Sequence, residues 1–264
     1  MNMRELDVIV DAMLGASRIV MGDDADVESK DTEMGVFDVV TSSDVRAEKA
    51  IIAAIKDAFP DDVIISEETN PDAEMGDRCW AIDPIDGTMN FTRGIPLYGM
   101  QAVFMEHGVP KASCIYFPTT DEMYTASEDG AFLNGEPIHT ACARPLRECI
   151  MSLGDFSRKK ESYRRAQAVV MSECYSDVAR FKVMGAACVD FAYLADARTD
   201  IHLRFVNRIW DFMPGLYLAQ KAGAVYDEGL MQEHSILVLC SCREVLDEAV
   251  GTLVPRFISC FRQP

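Results

Sequence analysis

The stretch Trp80-Ala-Ile-Asp83-Pro-Ile-Asp86-Gly87-Thr88-Met-Asn-Phe91 decides how the rest of the chain is read. An apolar, strand-like run ends in two carboxylates three residues apart, and Gly-Thr, residue types suited to holding an oxyanion, follows at once. Carboxylates this close repel each other unless cations lie between them. The segment is therefore a candidate metal and phosphate site. Plainer readings exist for each residue alone. Asp83 and Asp86 could be turn acids around Pro84, Gly87 could serve a positive φ, and Thr88 could be a buried turn hydroxyl.

Three further acidic segments accompany it: Asp38 with Asp44, Glu67-Glu68, and Asp211. Each lies where a strand stops or a helix starts, the position at which α/β folds place ligands. If Glu67, Asp83, Asp86 and Asp211 converge, four negative charges share one pocket, and burying them unpaired is prohibitively costly. Oxygen ligands with no histidine or thiol beside them suit Mg²⁺, and two such ions clamp the attacking and leaving oxygens of a phosphoryl displacement. Asp211 precedes a helix with Pro214 in its first turn, so N-capping and metal binding both stay open for it. Glu67-Glu68 alone reads equally as a solvated turn.

Around these motifs the chain alternates between helical and extended patterns. Leu6, Ile9, Val10, Met13 and Val20 mark a first amphipathic helix, and Ala47, Ile51, Ala54, Ile55 and Ala58 a second. Residues 21–33 read as an acidic loop; its Asp24-Ala-Asp26 lacks the glycine and closing glutamate of an EF-hand. Val63–Ile65, Cys79–Ile82, Leu97–Met105 and Val109–Phe117 read as strands, with turns at His107-Gly108 and Asn134-Gly135. Beyond about residue 145, short strands at Cys149–Leu153, Phe181–Met184, Asp200–Phe205, Ala224–Tyr226 and Ile236–Cys240 alternate with helices. Those helices are predicted at Arg158–Ser172, Ala187–Ala195, Phe212–Ala222 and Arg243–Phe257. The expected architecture is a mixed α+β and α/β stack, layered α-β-α-β-α. An N-terminal half, residues 1–144, and a C-terminal half, 145–264, would flank the active-site cleft.

Bulk properties narrow the function. The 264 residues carry 43 acids against 25 bases, a net charge of −18, which argues against nucleic acid or an anionic membrane as partner. No apolar run reaches transmembrane length. The N-terminal Glu5, Asp7 and Asp11 do not resemble a secretory leader. Nine scattered cysteines without a CxxC pair point to reduced thiols and a cytoplasmic setting rather than zinc or disulfides.

Taken together, Asp38-Val-Val-Thr-Ser-Ser-Asp44, Glu67-Glu68, Asp83–Phe91, Gly130-Ala-Phe-Leu-Asn-Gly135 and Trp210-Asp211 resemble the inositol monophosphatase family of lithium-sensitive, Mg²⁺-dependent phosphatases. The resemblance runs from Asp38 to about Gly223. It implies two or three Mg²⁺ ions. Glu67, Asp83 and the Ile85 carbonyl would hold one; Asp83, Asp86 and Asp211 would hold another. Gly87 and Thr88 N–H groups would grip phosphate. Thr88, oriented or deprotonated by Asp44, would bond the attacking water, which Glu67 helps to position. It also implies a homodimer and a small sugar phosphate as substrate, met by Asp86, Gly185, Ala186, Arg204 and Asp211.

The chain departs from the family pattern at the substrate end. Arg204 stands where inositol-specific members carry a glutamate, seven residues before Asp211, so an acceptor becomes a bidentate donor for anions. A surface ion pair is the other reading of Arg204. Ala186 replaces a hydroxyl residue after Gly185, Lys30 lies eight residues from Asp38, and the Trp210–Gly215 motif is bulkier than usual. The hydrolytic residues are intact. The expectation is a phosphatase for inositol 1-phosphate, fructose 1,6-bisphosphate or both. The alternatives are a 3′-phosphoadenosine nucleotide phosphatase, disfavoured by Met89, or a catalytically silent metal-binding interaction protein.

Overall fold

The computed structural model describes residues 4–22, 27–29, 39–154, 160–205 and 208–261. Lys30, Asp38 and Asp24-Ala-Asp26 lie outside these. The first amphipathic pattern becomes α1 (Arg4–Gly22). The stretch read as an acidic loop holds a short strand, β1 (Val27–Ser29), paired antiparallel with β2 (Val39–Thr41). α2 (Ser42–Ala58) starts on a capping box: the Thr41 side chain accepts from the Asp44 N–H and the Asp44 carboxylate accepts from the Thr41 N–H.

Seven strands then build one sheet. They are β3 (Val63–Ser66), β4 (Arg78–Asp86), β5 (Gly99–Glu106), β6 (Val109–Phe117), β7 (Glu122–Ser127), β8 (Gly130–Leu133) and β9 (Glu136–Pro137), in that spatial order. A single turn of helix, α3 (Thr88–Thr92), interrupts them after β4. Both turns expected from sequence close hairpins with two left-handed residues, His107 (φ 51) with Gly108 (φ 77) and Asn134 (φ 50) with Gly135 (φ 84). Among the described residues of this sheet only β3 and β4 run parallel, with Ser66 opposite Ile82. Their C-terminal ends therefore leave the sheet side by side.

A second, five-stranded sheet follows, in the order β11-β10-β12-β14-β13. Its members alternate with helices: β10 (Ile150–Leu153), α4 (Glu161–Glu173), β11 (Arg180–Lys182), α5 (Ala187–Ala195), β12 (Ile201–Phe205), α6 (Ile209–Ala222), β13 (Val225–Tyr226), α7 (Glu228–His234), β14 (Ile236–Cys240), α8 (Arg243–Thr252) and α9 (Val254–Phe257). The C-terminal elements depart from the expected pattern at two places. The last helix is broken at Leu253, because Pro255 removes a backbone donor and starts a new helix at its favoured first-turn position. α7 was not foreseen; Asp227 caps it through the Leu230 N–H at 2.8 Å.

Alternation along the strands creates the layers. Trp80 and Ile82 of β4 pack with Ile9, Met13, Ile51 and Ile55 of α1 and α2. Cys79 and Ala81 face the other way, toward Trp210 of α6. Ile201, Leu203 and Phe205 of β12 pack with α4, α8 and α9. Leu237 and Leu239 of β14 join Phe191, Leu216 and Ala219 of α5 and α6. α5 and α6 thus lie between the two sheets, completing the α-β-α-β-α stack. They approach closely at Gly215, where an added Cβ would come within 2.4 Å of Phe191. Gly215→Ala is expected to destabilise the fold by about 1–3 kcal/mol through overpacking, read as a lower midpoint in thermal unfolding.

Candidate active site

The parallel pairing of β3 and β4 sets the core of the site. Glu67 follows β3 directly, and its N–H bonds the Ile82 carbonyl at 3.3 Å, so it stands beside Asp83. The register breaks between Asp83 and Asp86, a bulge that lets both acids sit at the end of one strand. Asp211 enters from α6. Carboxylate oxygens of Glu67, Asp83 and Asp211 all lie within 4.8 Å of one another. Asp86 borders this group: the charges of Asp86, Glu67 and Asp211 all act on Asp83.

Asp211 is not the N-cap of α6. Arg208 holds that position, and Asp211 sits inside the first turn with its N–H bonded to the Arg208 carbonyl at 3.2 Å. There it still benefits from the positive end of the helix. The helix begins three residues earlier than the sequence pattern indicated because Ile209 and Trp210, apolar and packed beside Val63 and Ala81, belong to its first turn.

Electrostatics suit this cluster to a cation. Burial raises the Asp83 carboxyl well above the usual carboxylate range, and Glu67, Asp86, Asp211 and Asp44 push it further. Burial also raises Asp86, against the lowering effect of N–H groups from Cys188 and Ala187 and of Arg204. Asp211 is pushed up to about 7, mainly by burial, with Arg204 opposing and Glu67 and Asp86 adding to the rise. The donor set is all oxygen and crowded with like charge. It fits a hard divalent cation such as Mg²⁺, whose charge would stabilise the ionised forms of Asp83, Asp86 and Asp211 that burial disfavours.

Beside the cluster stands a hydroxyl–carboxylate pair. Thr88 Oγ1 lies 3.3 Å from Asp44 Oδ1 and 3.0 Å from the Ile85 carbonyl, either of which can accept its proton. The other Asp44 oxygen accepts from the Thr41 N–H at 2.8 Å and from the Thr41 hydroxyl. Asp44 is buried and fixed, so it can orient Thr88. Gly87 adopts φ 89, and a Cβ there would meet the Ala186 Cβ at 2.8 Å. The turn thus needs glycine both for conformation and for space.

The opposite wall comes from the second sheet and α5. Cys188 donates its N–H to Asp86 Oδ2. Gly185 (φ 76) abuts Asn90, whose Nδ2 bonds the Leu97 carbonyl at 2.7 Å and the Met184 carbonyl at 2.9 Å. Asn90 therefore ties the wall to the phosphate-motif turn, a structural role that its sequence position alone did not assign. The Ala186 side chain is buried against Gly87. Arg204 is not in a surface pair. Its side chain is 14% exposed and its Nη2 lies 3.2 Å from Asp211 Oδ2. Its Nε is buried without a hydrogen-bond partner among the described residues. Gly154 makes room for its stem: an added Cβ there would come within 3.1 Å of Arg204 Cγ.

Ser152, His202 and Asp190 lie together but not as a nucleophile triad, because Ser152 Oγ at 2.8 Å and the Asp190 carboxylate at 4.0 Å both approach the same ring nitrogen, Nδ1 of His202. Ser152 and His202 are 0% exposed, and burial drives the imidazole pKa down to about 3. No substrate reaches them, and they act as a neutral polar contact inside the core.

Comparison with known proteins agrees with this geometry. The model of the inositol monophosphatase family matches residues 5–245. A fructose-1,6-bisphosphatase/inositol-1-monophosphatase of Thermotoga maritima is 30% identical over 224 residues, 84% of each chain. The Nus factor SuhB of Escherichia coli K12 is 32% identical over 199 residues, 75% of this chain and 74% of that one. Among solved structures, a Thermotoga maritima IMPase superposes with a TM-score of 0.84 at 27% identity, covering 97% of this chain and 99% of that one. SuhB from Bartonella henselae gives a TM-score of 0.81 at 25% identity, covering 95% and 98%. A carboxylate cluster at paired strand ends, its Thr–Asp neighbour and a match over nearly the whole chain place this protein in the inositol monophosphatase family of phosphoric monoester hydrolases.

Proposed function

We propose that the protein is a Mg²⁺-dependent phosphatase that hydrolyses small sugar or polyol phosphates by direct attack of water, with inositol 1-phosphate and fructose 1,6-bisphosphate as substrates. The observation that carries this reading is the convergence of Glu67, Asp83 and Asp211 oxygens within 4.8 Å, with Thr88 and Asp44 alongside. Residues 1–144 supply most of the metal and phosphate machinery, and residues 145–264 supply Asp211 and the substrate wall.

In this reading Glu67, Asp83 and the Ile85 carbonyl would hold one cation, and Asp83, Asp86 and Asp211 would hold another. Bound Mg²⁺ supplies Lewis acidity that lowers the pKa of water and neutralises phosphate charge. The chain's own groups do the rest. The N–H groups of Gly87 and Thr88, at the start of a turn with positive φ, grip phosphate oxygens. Thr88 donates to Asp44, which leaves its oxygen free to accept a hydrogen bond from the attacking water. Glu67 aligns the same water. No side chain needs to become phosphorylated. The setting is a reducing cytoplasm, in keeping with nine free thiols, and the assembly is a homodimer.

Arg204 supports a substrate with a second anionic group. It is mostly buried at the site, and only part of its fork is used by Asp211. The Thermotoga maritima relative bears both fructose-bisphosphatase and inositol-monophosphatase names, in keeping with dual use. A 3′-phosphoadenosine nucleotide substrate is less well served, since Met89, exposed beside Thr88, offers no charge. Complete retention of the carboxylates speaks against a silent interaction protein.

Three outcomes are expected. Purified protein releases phosphate from a panel of sugar phosphates only with Mg²⁺, and Asp83→Ala lowers the rate by about 10³-fold, ~4 kcal/mol of barrier; absence of Mg²⁺-dependent release from every substrate would sink the reading. Arg204→Glu lowers the ratio of fructose 1,6-bisphosphate to inositol 1-phosphate turnover by about tenfold or more, the worth of a charge-assisted hydrogen bond; an unchanged ratio removes Arg204 from recognition. The third concerns pH. Raised native pKa values mean that the metal-free protein binds more protons than its unfolded chain between the usual carboxylate pKa, about 4, and about 7 for Asp211. The contribution of these carboxylates to its stability is greatest at the acid end of that window and falls as pH rises through it, with the buried neutral His202 offsetting part of the slope below its ordinary pKa. Thermal unfolding with chelator should follow that slope, and Mg²⁺ should stabilise more at pH 8 than at pH 5.5.

A further inference from the structure

α2 carries a second buried carboxylate one helical turn beyond Asp44. Glu48 is 0% exposed and takes no part in the chemistry described above. Its four hydrogen bonds all come from one turn. At Oε1 it accepts from the Ser66 hydroxyl at 3.0 Å, the Thr69 N–H at 2.8 Å and the Thr69 hydroxyl. At Oε2 it accepts from the Glu68 N–H at 2.8 Å. This is the turn that presents Glu67. The turn closes on itself through the Ser66 N–H and the Asn70 carbonyl at 3.3 Å. Glu67 is thus flanked on both sides by residues bound to Glu48.

We propose that Glu48 is a positioning residue for the divalent-cation site: its carboxylate locks the Ser66–Thr69 turn so that Glu67 is held beside Asp83 and Asp211. This rests on the cation-site reading above. The physical reason is the repulsion among the site acids, which favours any motion that carries Glu67 away from the others. Asp83 and Asp211 are carried by a strand and a helix; Glu67 is carried by a turn. Without an acceptor at Glu48, the Glu68 and Thr69 N–H groups lose their partner, and the turn is free to seek water instead. A plain packing contact between α2 and β3 would need an apolar side chain there, not an acceptor matched to four donors of one turn. Asp44 and Glu48 make one face of α2 a support for both sides of the site, Asp44 for Thr88 and Glu48 for Glu67.

The test is a calorimetric titration of Mn²⁺ into the full chain, wild type against Glu48→Gln and Thr69→Val, with thermal unfolding of each metal-free protein. Glutamine keeps the shape but turns one terminal atom into a donor facing another donor. The expected result is Mn²⁺ binding weakened about 10–100-fold in Glu48→Gln, the usual effect of losing a partner behind a metal ligand, and less in Thr69→Val. In the phosphatase assay the Mg²⁺ needed for half-maximal rate rises, while the rate at saturating Mg²⁺ recovers. Unchanged Mn²⁺ affinity in both variants, with or without a lower unfolding midpoint, overturns the proposal and leaves Glu48 a structural residue. If Glu48→Gln does not fold, Thr69→Val decides alone. Wild type that binds no divalent cation overturns this inference and the cation-site reading together. Wild type that binds Mn²⁺ but hydrolyses nothing defeats the phosphatase reading only, and the binding comparison still decides the role of Glu48.

Discussion

Like charges confined to one buried spot dominate this molecule. Glu67, Asp86 and Asp211 meet around the buried Asp83, and its burial, with the charges of the other three and of Asp44 adding to it, raises its carboxyl well above the normal range. A fold that builds such a spot must also build what restrains it. The Asp86 carboxylate is met by backbone N–H groups at the start of α5, Asp211 by Arg204 and by the first turn of α6. Each restraint is an element terminus or a donor brought from elsewhere in the chain.

The layering explains why these restraints arrive together. β3 and β4 form the lone parallel pair of the large sheet among the described residues, so two acids leave the sheet on the same side. α5 and α6 fill the space between the sheets and start at that same edge, so their N-terminal ends point into the cluster. The close contact of Gly215 with Phe191 keeps those two helices near each other. Asn90 then links the phosphate-motif turn to the segment leading into α5. Packing of these helices between the sheets thereby helps set the distances among the acids at their N-terminal ends.

Much of this was legible in sequence, because periodicity reports which face of an element is buried. β6 and α5 fall where the apolar patterns set them, as does β14. The acids of the site were recognisable through the motif at residues 83–91. Short elements were harder to read. α7 is short and offers only Leu230 and Met231, both partly buried, too few to show a period, and the break between α8 and α9 depends on one proline near a helix end. Asp211 reads as a cap from its neighbours, yet packing of Ile209 and Trp210 draws the helix start back past it.

Arg204 and Glu48 mark the boundary between the two kinds of information. Their sequence neighbourhoods are ordinary: one charged residue in a short strand, one in an amphipathic helix. Alternation along β12 sends Arg204 inward while Leu203 and Phe205 face the outer helices, and only the meeting of β12 with α6 pairs it with Asp211. Glu48 finds its donors eighteen or more residues away, in a turn to which no local pattern connects it. The chain's own order of residues determined the chemistry, the acidic motif with its Gly-Thr turn, because that chemistry is carried by neighbours along the backbone. Tertiary structure alone decided which charges face one another and which groups restrain them, because those contacts join segments whose proximity is set by the register of strands and the packing of helices between the sheets.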